Sequence, residues 1–252
     1  MNPNKVIQLA MKTGSLLLES GAETYRVEDT IVRICSTYGM TDTSCFCTQT
    51  GIMMSSIFDG TTYSQVARIQ SRSTNLDRIG NLNQLSRDAC SIELPEYEKR
   101  LNDIISTKTY SVFMNILFAS ICTFGFTLLY RGKLGDAFVG FILGGIVRYC
   151  TLYLESKGLN SFFNTSGCAF LITLTALLLE NYHLIASRNT VIIGTIMLLV
   201  PGLAITNAIR DSIAGDLVSG TARAVEALLI AVAVALGSGI ALTIWLSLGG
   251  II

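Results

Sequence analysis

Six side chains able to hold or exchange ions, Asn207, Arg210, Asp211, Asp216, Arg223 and Glu226, fall within 20 consecutive residues. A guanidinium fork clamps a carboxylate at two points. A carboxyl group whose pKa is raised by burial can take up and release a proton near neutrality. The group therefore has the chemistry to bind a small anion and move protons. The same residues could instead pair with one another and cap their helices, and spacing leaves both readings open. Upstream, Pro201-Gly202 interrupts an apolar run: proline removes a backbone donor and clashes with the preceding turn, and freed backbone groups can line a solute path. A harmless kink is the plainer alternative. Arg148 is a further charge, set inside an apolar stretch where it should face a partner or a wet cavity or snorkel to the edge. A second concentration, Glu19, Glu23, Tyr25, Arg26, Glu28 and Asp29, makes either a charged binding surface or a solvated helix face.

Other chemistries lack their residues. No Gly-rich phosphate loop, nucleophile elbow or paired-histidine metal motif occurs. The only histidine is His183, expected as a membrane-interface residue, and no CxxC appears among seven cysteines. Neither a metal nor a cofactor is expected. The odd cysteine count, with Cys122, Cys150 and Cys168 in apolar segments, predicts reduced, buried thiols.

These groups must be positioned by an unusually apolar chain. Of 252 residues, 50% are hydrophobic and only 14% charged, with mean hydropathy +0.53; a soluble domain carries about 25% charged residues. Eighteen basic residues balance eighteen acidic ones, so no basic face for nucleic acid is expected. Residues 1–108 hold 11 of the basic and 12 of the acidic side chains. The break predicts a polar domain over 1–108 and a membrane domain over 109–252. A helix needs about 20 apolar residues to cross a bilayer, which predicts five spans near 109–130, 137–154, 158–179, 189–209 and 224–249. Basic residues near the span ends favour a cytoplasmic N-terminal domain, with Lys99, Arg100, Lys108, Lys157, Arg210 and Arg223 inside. Arg131, Lys133 and Arg188 then lie outside, and Ile252 on the far side. Gly140, Gly144, Gly145, Gly237 and Gly239 suit close helix packing, within one subunit or between subunits.

In the polar part, apolar spacing predicts helices over Lys5–Glu19 and from Glu23, with Gly21 ending the first and Ser20-x-x-Glu23 boxing the second. Asp29 and Arg33 are spaced to pair at i,i+4. Extended segments Ser44–Thr50, Ile52–Phe58 and Tyr63–Gln70 follow, the last two joined by an Asp59-Gly60 hairpin signal. Helices at Leu76–Cys90 and Pro95–Thr107 complete an ααβββαα order. The fold class is therefore an α-helical polytopic membrane protein preceded by a small α+β cytoplasmic domain.

Two stretches carry a resemblance. Gly21-Ala22-Glu23-Thr24-Tyr25-Arg26-Val27-Glu28 resembles the G-x-E-T-x-R-x-E signature of the threonine/serine exporter family. Pro201-Gly202, Asn207-Ala208-Ile209-Arg210-Asp211, Gly215-Asp216, Ser219-Gly220, Arg223 and Glu226 are similar to that family's second conserved region. Fused members have about twice as many spans, so the resemblance implies the split form, with a second, smaller integral membrane subunit as partner. It also implies export of small carboxylates such as succinate, or of threonine and serine.

Together these readings predict a non-enzymatic subunit of a secondary, proton-coupled exporter in a bacterial inner membrane, working as a homo- or hetero-oligomer. The substrate and proton pathway would use Arg148, Pro201, Gly202, Asn207, Arg210, Asp211, Asp216, Arg223 and Glu226. The cytoplasmic motif would use Glu19, Gly21, Glu23, Thr24, Arg26 and Glu28. The competing readings are a membrane-anchored metabolite sensor or scaffold without flux, and, less favoured because no nucleophile–base pair is present, a membrane hydrolase.

Overall fold

A computed structural model describes residues 2–107 and 110–249. The composition break at Lys108–Thr109 and the position of Ile252 lie outside the described residues. The chain forms two compact units, one of Met1–Lys108 with Leu203–Ala224 and the other of Thr109–Gly202 with Val225–Ile252; they are called the polar and the span unit.

The polar unit opens with α1 (Pro3–Glu19) and α2 (Thr24–Thr37). Their apolar faces, Val6, Leu9, Ala10, Leu17 and Leu18 on one and Val27, Ile31 and Ile34 on the other, are fully or almost fully buried in a single core. The turn between them depends on Gly21, whose φ of +89° suits a residue without a Cβ. The expected Ser20–Glu23 capping box does not form: Glu23 is itself the residue before the helix, and its side chain makes no cap bond. Asp29 and Arg33 pair one turn apart on α2.

Three antiparallel strands follow, β1 (Thr41–Thr48), β2 (Gly51–Phe58) and β3 (Thr61–Arg68), in the order β1-β2-β3. Asp59 and Gly60 both have positive φ, the backbone a two-residue hairpin turn requires. The inner sheet face places Cys47, Ile52 and Met54 in the core. Helices α3 (Leu76–Asp88) and α4 (Leu94–Ser106) close the order expected from the sequence. Tyr97 of α4 is fully buried, its hydroxyl 2.9 Å from the Thr13 hydroxyl.

The span unit contains α5 (Val112–Leu129), α6 (Leu134–Ser156), α7 (Ser161–Asn181) and the short α8 (Arg188–Ile196). Beyond α8 lie α9 (Gly202–Ala214) and α10 (Leu217–Ser247). Residues 203–224 of these belong to the polar unit and the remainder of α10 to the span unit. Among the described residues four helices, α5, α6, α7 and α10, are long and apolar enough to cross a membrane. The run 189–209 is not one helix. Its first part ends at Ile196 in i→i+3 bonds from Leu198 and Leu199, and Pro201 cannot donate into a continuing ladder. Nine residues of α8 rise only about 13 Å, against a hydrocarbon core of about 30 Å.

The span helices meet through small residues. Gly140, Gly144 and Gly145 of α6 lie against Thr127, Thr123 and Ser120 of α5, and Gly194 of α8 lies against Thr127. The Thr123 hydroxyl donates to the Gly140 carbonyl at 2.8 Å. Gly237 of α10 lies against the Ser166 carbonyl of α7, whereas nothing approaches Gly239. Four of the five glycines singled out in the sequence thus pack inside one chain. His183 is exposed in the turn after α7.

Candidate functional site

The site is built where the α1–α2 turn meets α9 and the start of α10, all within the polar unit. Gly21 swings the chain out of α1 and leaves the carbonyls of Gly21 and Ala22 and the N–H of Thr24 without helical partners. On α9, Asn207, Arg210 and Asp211 share a face by their i, i+3, i+4 spacing. Gly215, with φ +98°, ends α9 and starts the tight turn that carries Asp216. Gly220 lets the first turns of α10 close on Ala208 and Ser212.

The two carbonyls and the N–H freed at the turn each find a partner. Asn207 Nδ2 donates to the Gly21 carbonyl at 3.0 Å, and Arg223 Nη2 to the Ala22 carbonyl at 2.6 Å. The Thr24 N–H donates to Asp211 Oδ1 at 3.1 Å, and its hydroxyl to Asp216 Oδ2 at 3.2 Å. Arg210 Nη1 donates to Glu23 Oε1 at 2.7 Å. Arg26 Nε lies 3.5 Å from Glu23 Oε2, and Arg223 Nε lies 3.0 Å from Asp211 Oδ2. At the edge, Glu28 Oε1 accepts the Cys47 N–H at 2.7 Å, and the Ser219 hydroxyl reaches the Cys47 carbonyl at 3.5 Å.

Burial sets the electrostatics. The side chains of Asp211 and Arg223 are 0% and 7% exposed, so their ion pair is withdrawn from water, while that of Arg210 is 54% exposed. Burial pushes the Asp211 carboxyl above its ordinary range; Arg223 and the Thr24 donors oppose that shift without cancelling it. Glu28 is also raised, by burial first and then by the negative charges of Asp216 and Asp211, against the Cys47 N–H. In Glu23 burial works upward too, but its own backbone N–H, Arg210 and Arg26 together hold it below the usual carboxylate range. Buried Cys35 is pushed up to about 11 and Cys45 to about 12 by desolvation, and Cys47 is raised as well. All seven cysteines are free, and among the described residues no group of three or more His, Cys, Asp or Glu is placed to hold a metal.

The structure therefore brings Gly21, Glu23, Thr24 and Arg26 together with Asn207, Arg210, Asp211, Asp216 and Arg223, with Glu28 beside them. Glu19 contributes its carbonyl, which accepts the Ser73 N–H at 2.8 Å. Arg148 belongs to the span unit, where its Nη2 donates to Asn115 Oδ1 at 3.3 Å; Glu226 also lies in that unit. Pro201 ends the break between α8 and α9, and Gly202 is the first residue of α9. Among the candidates read from sequence, the roles of the Gly21 and Ala22 carbonyls and of the Cys47 backbone were missed. Backbone partners leave no mark on residue type. Ser219-Gly220 was visible in the second stretch but its packing role was not.

Fold and site define a multi-pass helical membrane protein in which the turn of an N-terminal α+β domain is joined to a helix–turn–helix by hydrogen bonds and the Glu23–Arg210 pair, beside a buried Asp211–Arg223 pair. A family model described as "Putative threonine/serine exporter" matches residues 8–245. The chain belongs to the threonine/serine exporter family. It is 24% identical over 243 residues to the "Probable succinate transporter subunit YjjP" of Klebsiella aerogenes, covering 95% of this chain and 94% of that one. The protein of the same name in Escherichia coli is 25% identical over the same shares. A "Probable threonine/serine exporter" of Mycobacterium tuberculosis is 22% identical over 94% of this chain but only 46% of its own length. No solved structure matches.

Proposed function

We propose that this chain is a subunit of a secondary, proton-coupled exporter of small polar metabolites, a dicarboxylate such as succinate or the amino acids threonine and serine. The observation that carries the reading is the meeting of both signature stretches in one buried, ionised latch, Asp211–Arg223 beside Glu23–Arg210. Arg210 keeps half of its side chain in solvent, so a substrate carboxylate can compete with Glu23 for the same guanidinium. Because burial raises Asp211 and Glu28, closing the latch favours the protonated form of these two carboxyls and opening it favours release of a proton. That gives the coupling a physical form with no nucleotide motif and no enzymatic step. Pro201, Gly202, Asn207, Arg148, Glu226 and the Glu19–Glu28 motif are proposed to serve the same pathway.

The polar domain is placed in the cytoplasm of a bacterial inner membrane, following the excess of basic residues on that side. In this reading residues up to 107 and α9, which pack in one unit, lie on one side of the membrane, with an even number of passages between them. Helices α5, α6 and α7 account for three passages. The fourth falls to α8 with the Met197–Pro201 break, a half-length helix completed by irregular backbone shielded by protein, and α10 makes the fifth. The longer exporter, of which this chain covers about half, supports a second, smaller membrane subunit as partner.

One observation favours a second reading, a sensor or scaffold: the ionised groups satisfy one another and hold the polar domain. That reading predicts no flux. The test is efflux of labelled succinate and of labelled threonine from cells or vesicles containing the chain and its partner. Arg210→Ala and Asp211→Ala should each abolish efflux with membrane insertion intact. Near-normal efflux in both variants contradicts the site.

A further inference from the structure

Helix α9 is amphipathic inside out. Its polar residues Asn207 and Asp211 are buried with Ala208, whereas Ile205, Ile209 and Ile213 stand exposed at 45%, 55% and 82%. Spaced by four, these isoleucines form one row along the helix. Leu217 and Val218, just past the turn at the start of α10, are exposed as well, and α10 runs on as a candidate membrane span. Thr206 and half-exposed Arg210 flank the isoleucine row.

We infer that this face of α9 lies in the headgroup–acyl boundary of the bilayer, so that the polar domain is seated on a membrane-embedded helix. A row of large β-branched residues left to water would be strongly unfavourable. Its composition also differs from the seams that join helices in this protein, which are built from glycine, serine and threonine. Membrane helix contacts favour such small residues because they allow backbones to approach. A row of isoleucines edged by an arginine that can reach phosphate is instead the pattern of an interfacial helix. The inference concerns only what covers α9 and holds whether or not the latch transports anything.

The test uses the full chain with the surface-accessible thiols Cys90, Cys122 and Cys150 replaced by serine and a fluorophore attached at Ile209→Cys or Ile213→Cys. It is reconstituted in phosphatidylcholine–phosphatidylglycerol vesicles with or without acyl chains brominated near the headgroup. Both positions should lose most of their emission to the brominated lipid and little to aqueous iodide. A probe at Asp29→Cys, exposed on α2, should show the reverse. Quenching of 209 and 213 by iodide would overturn the inference, and so would protection from both quenchers, because it would mean a protein cover. Ile213 is the most exposed position of the row and serves if the 209 variant does not fold. In cells, a photo-crosslinker at 213 should join lipid; a protein adduct there would also overturn the proposal.

Discussion

The ionised latch and the Gly/Thr seam join helices by opposite means. In the seam, α6 comes so close to α5 that a side-chain carbon at Gly144 would overlap Thr123, and the attraction is short-ranged packing aided by hydroxyl-to-carbonyl bonds. Such a contact has one good geometry and forfeits about a quarter to a half of its attraction over a gap of roughly 0.5–1 Å. In the latch, the groups are longer and charged: Asp211 and Arg223 are withdrawn from water, whereas Arg210 is 54% exposed and its guanidinium has alternatives in water or another carboxylate. A seam of the first kind keeps spans fixed to each other. A joint of the second kind can be opened by chemistry, and the polar domain is held by a joint of that kind.

The largest effect should come from unbalancing the latch. Arg223→Ala leaves Asp211 buried without its cation, a loss of about 3–5 kcal/mol for pairs of this type, read as thermal stability of the detergent-solubilised protein. Asp211→Asn in the same background should recover part of that loss; absence of recovery would mean that the two residues act separately. Next in size, Gly144→Val overfills the seam and should cost about 1–3 kcal/mol. If packing and latch are independent, the Gly144 and Arg223 effects should add.

The smallest effect sharpens the comparison through pH. Glu28 is raised in the folded protein, so between the ordinary carboxylate pKa and its folded value the native state binds more protons than the unfolded one. Its contribution is therefore fully present below that window and is lost as pH rises through it. Glu23, held low, has the opposite sign: its contribution is present above the ordinary pKa and lost as pH falls through the lower, folded value. Glu28→Gln should flatten the decline of thermal stability with rising pH and leave acid sensitivity in place. An unchanged slope would remove Glu28 from the latch.

Much of the polar unit was legible because local signals and tertiary packing agree there. Ile31 and Ile34 repeat at the helical period, and Asp59-Gly60 names its own turn. Ser20-x-x-Glu23 misled because Gly21 spends Ser20 on ending α1, leaving no room for a reciprocal cap. Hydropathy over 189–209 sums side chains and is blind to the N–H that Pro201 lacks, so one span was expected where two short helices stand. The residue types of the latch could be read, but not its closure: Thr24 meets Asp211 across 187 positions, and no local pattern encodes that pairing. Whether Gly140 packed within or between chains likewise depended on Thr127, found only through the fold.

The raised Cys35, Cys45 and Cys47 carry a last consequence. Peroxide and disulfide exchange act on thiolate, and at neutral pH these three remain protonated and enclosed by the sheet and α2. Oxidants should pass the heart of the polar domain by and mark Cys90, exposed outside the span helices, first. Oxidative stress would thus reach this domain at a surface thiol and leave its folded core intact.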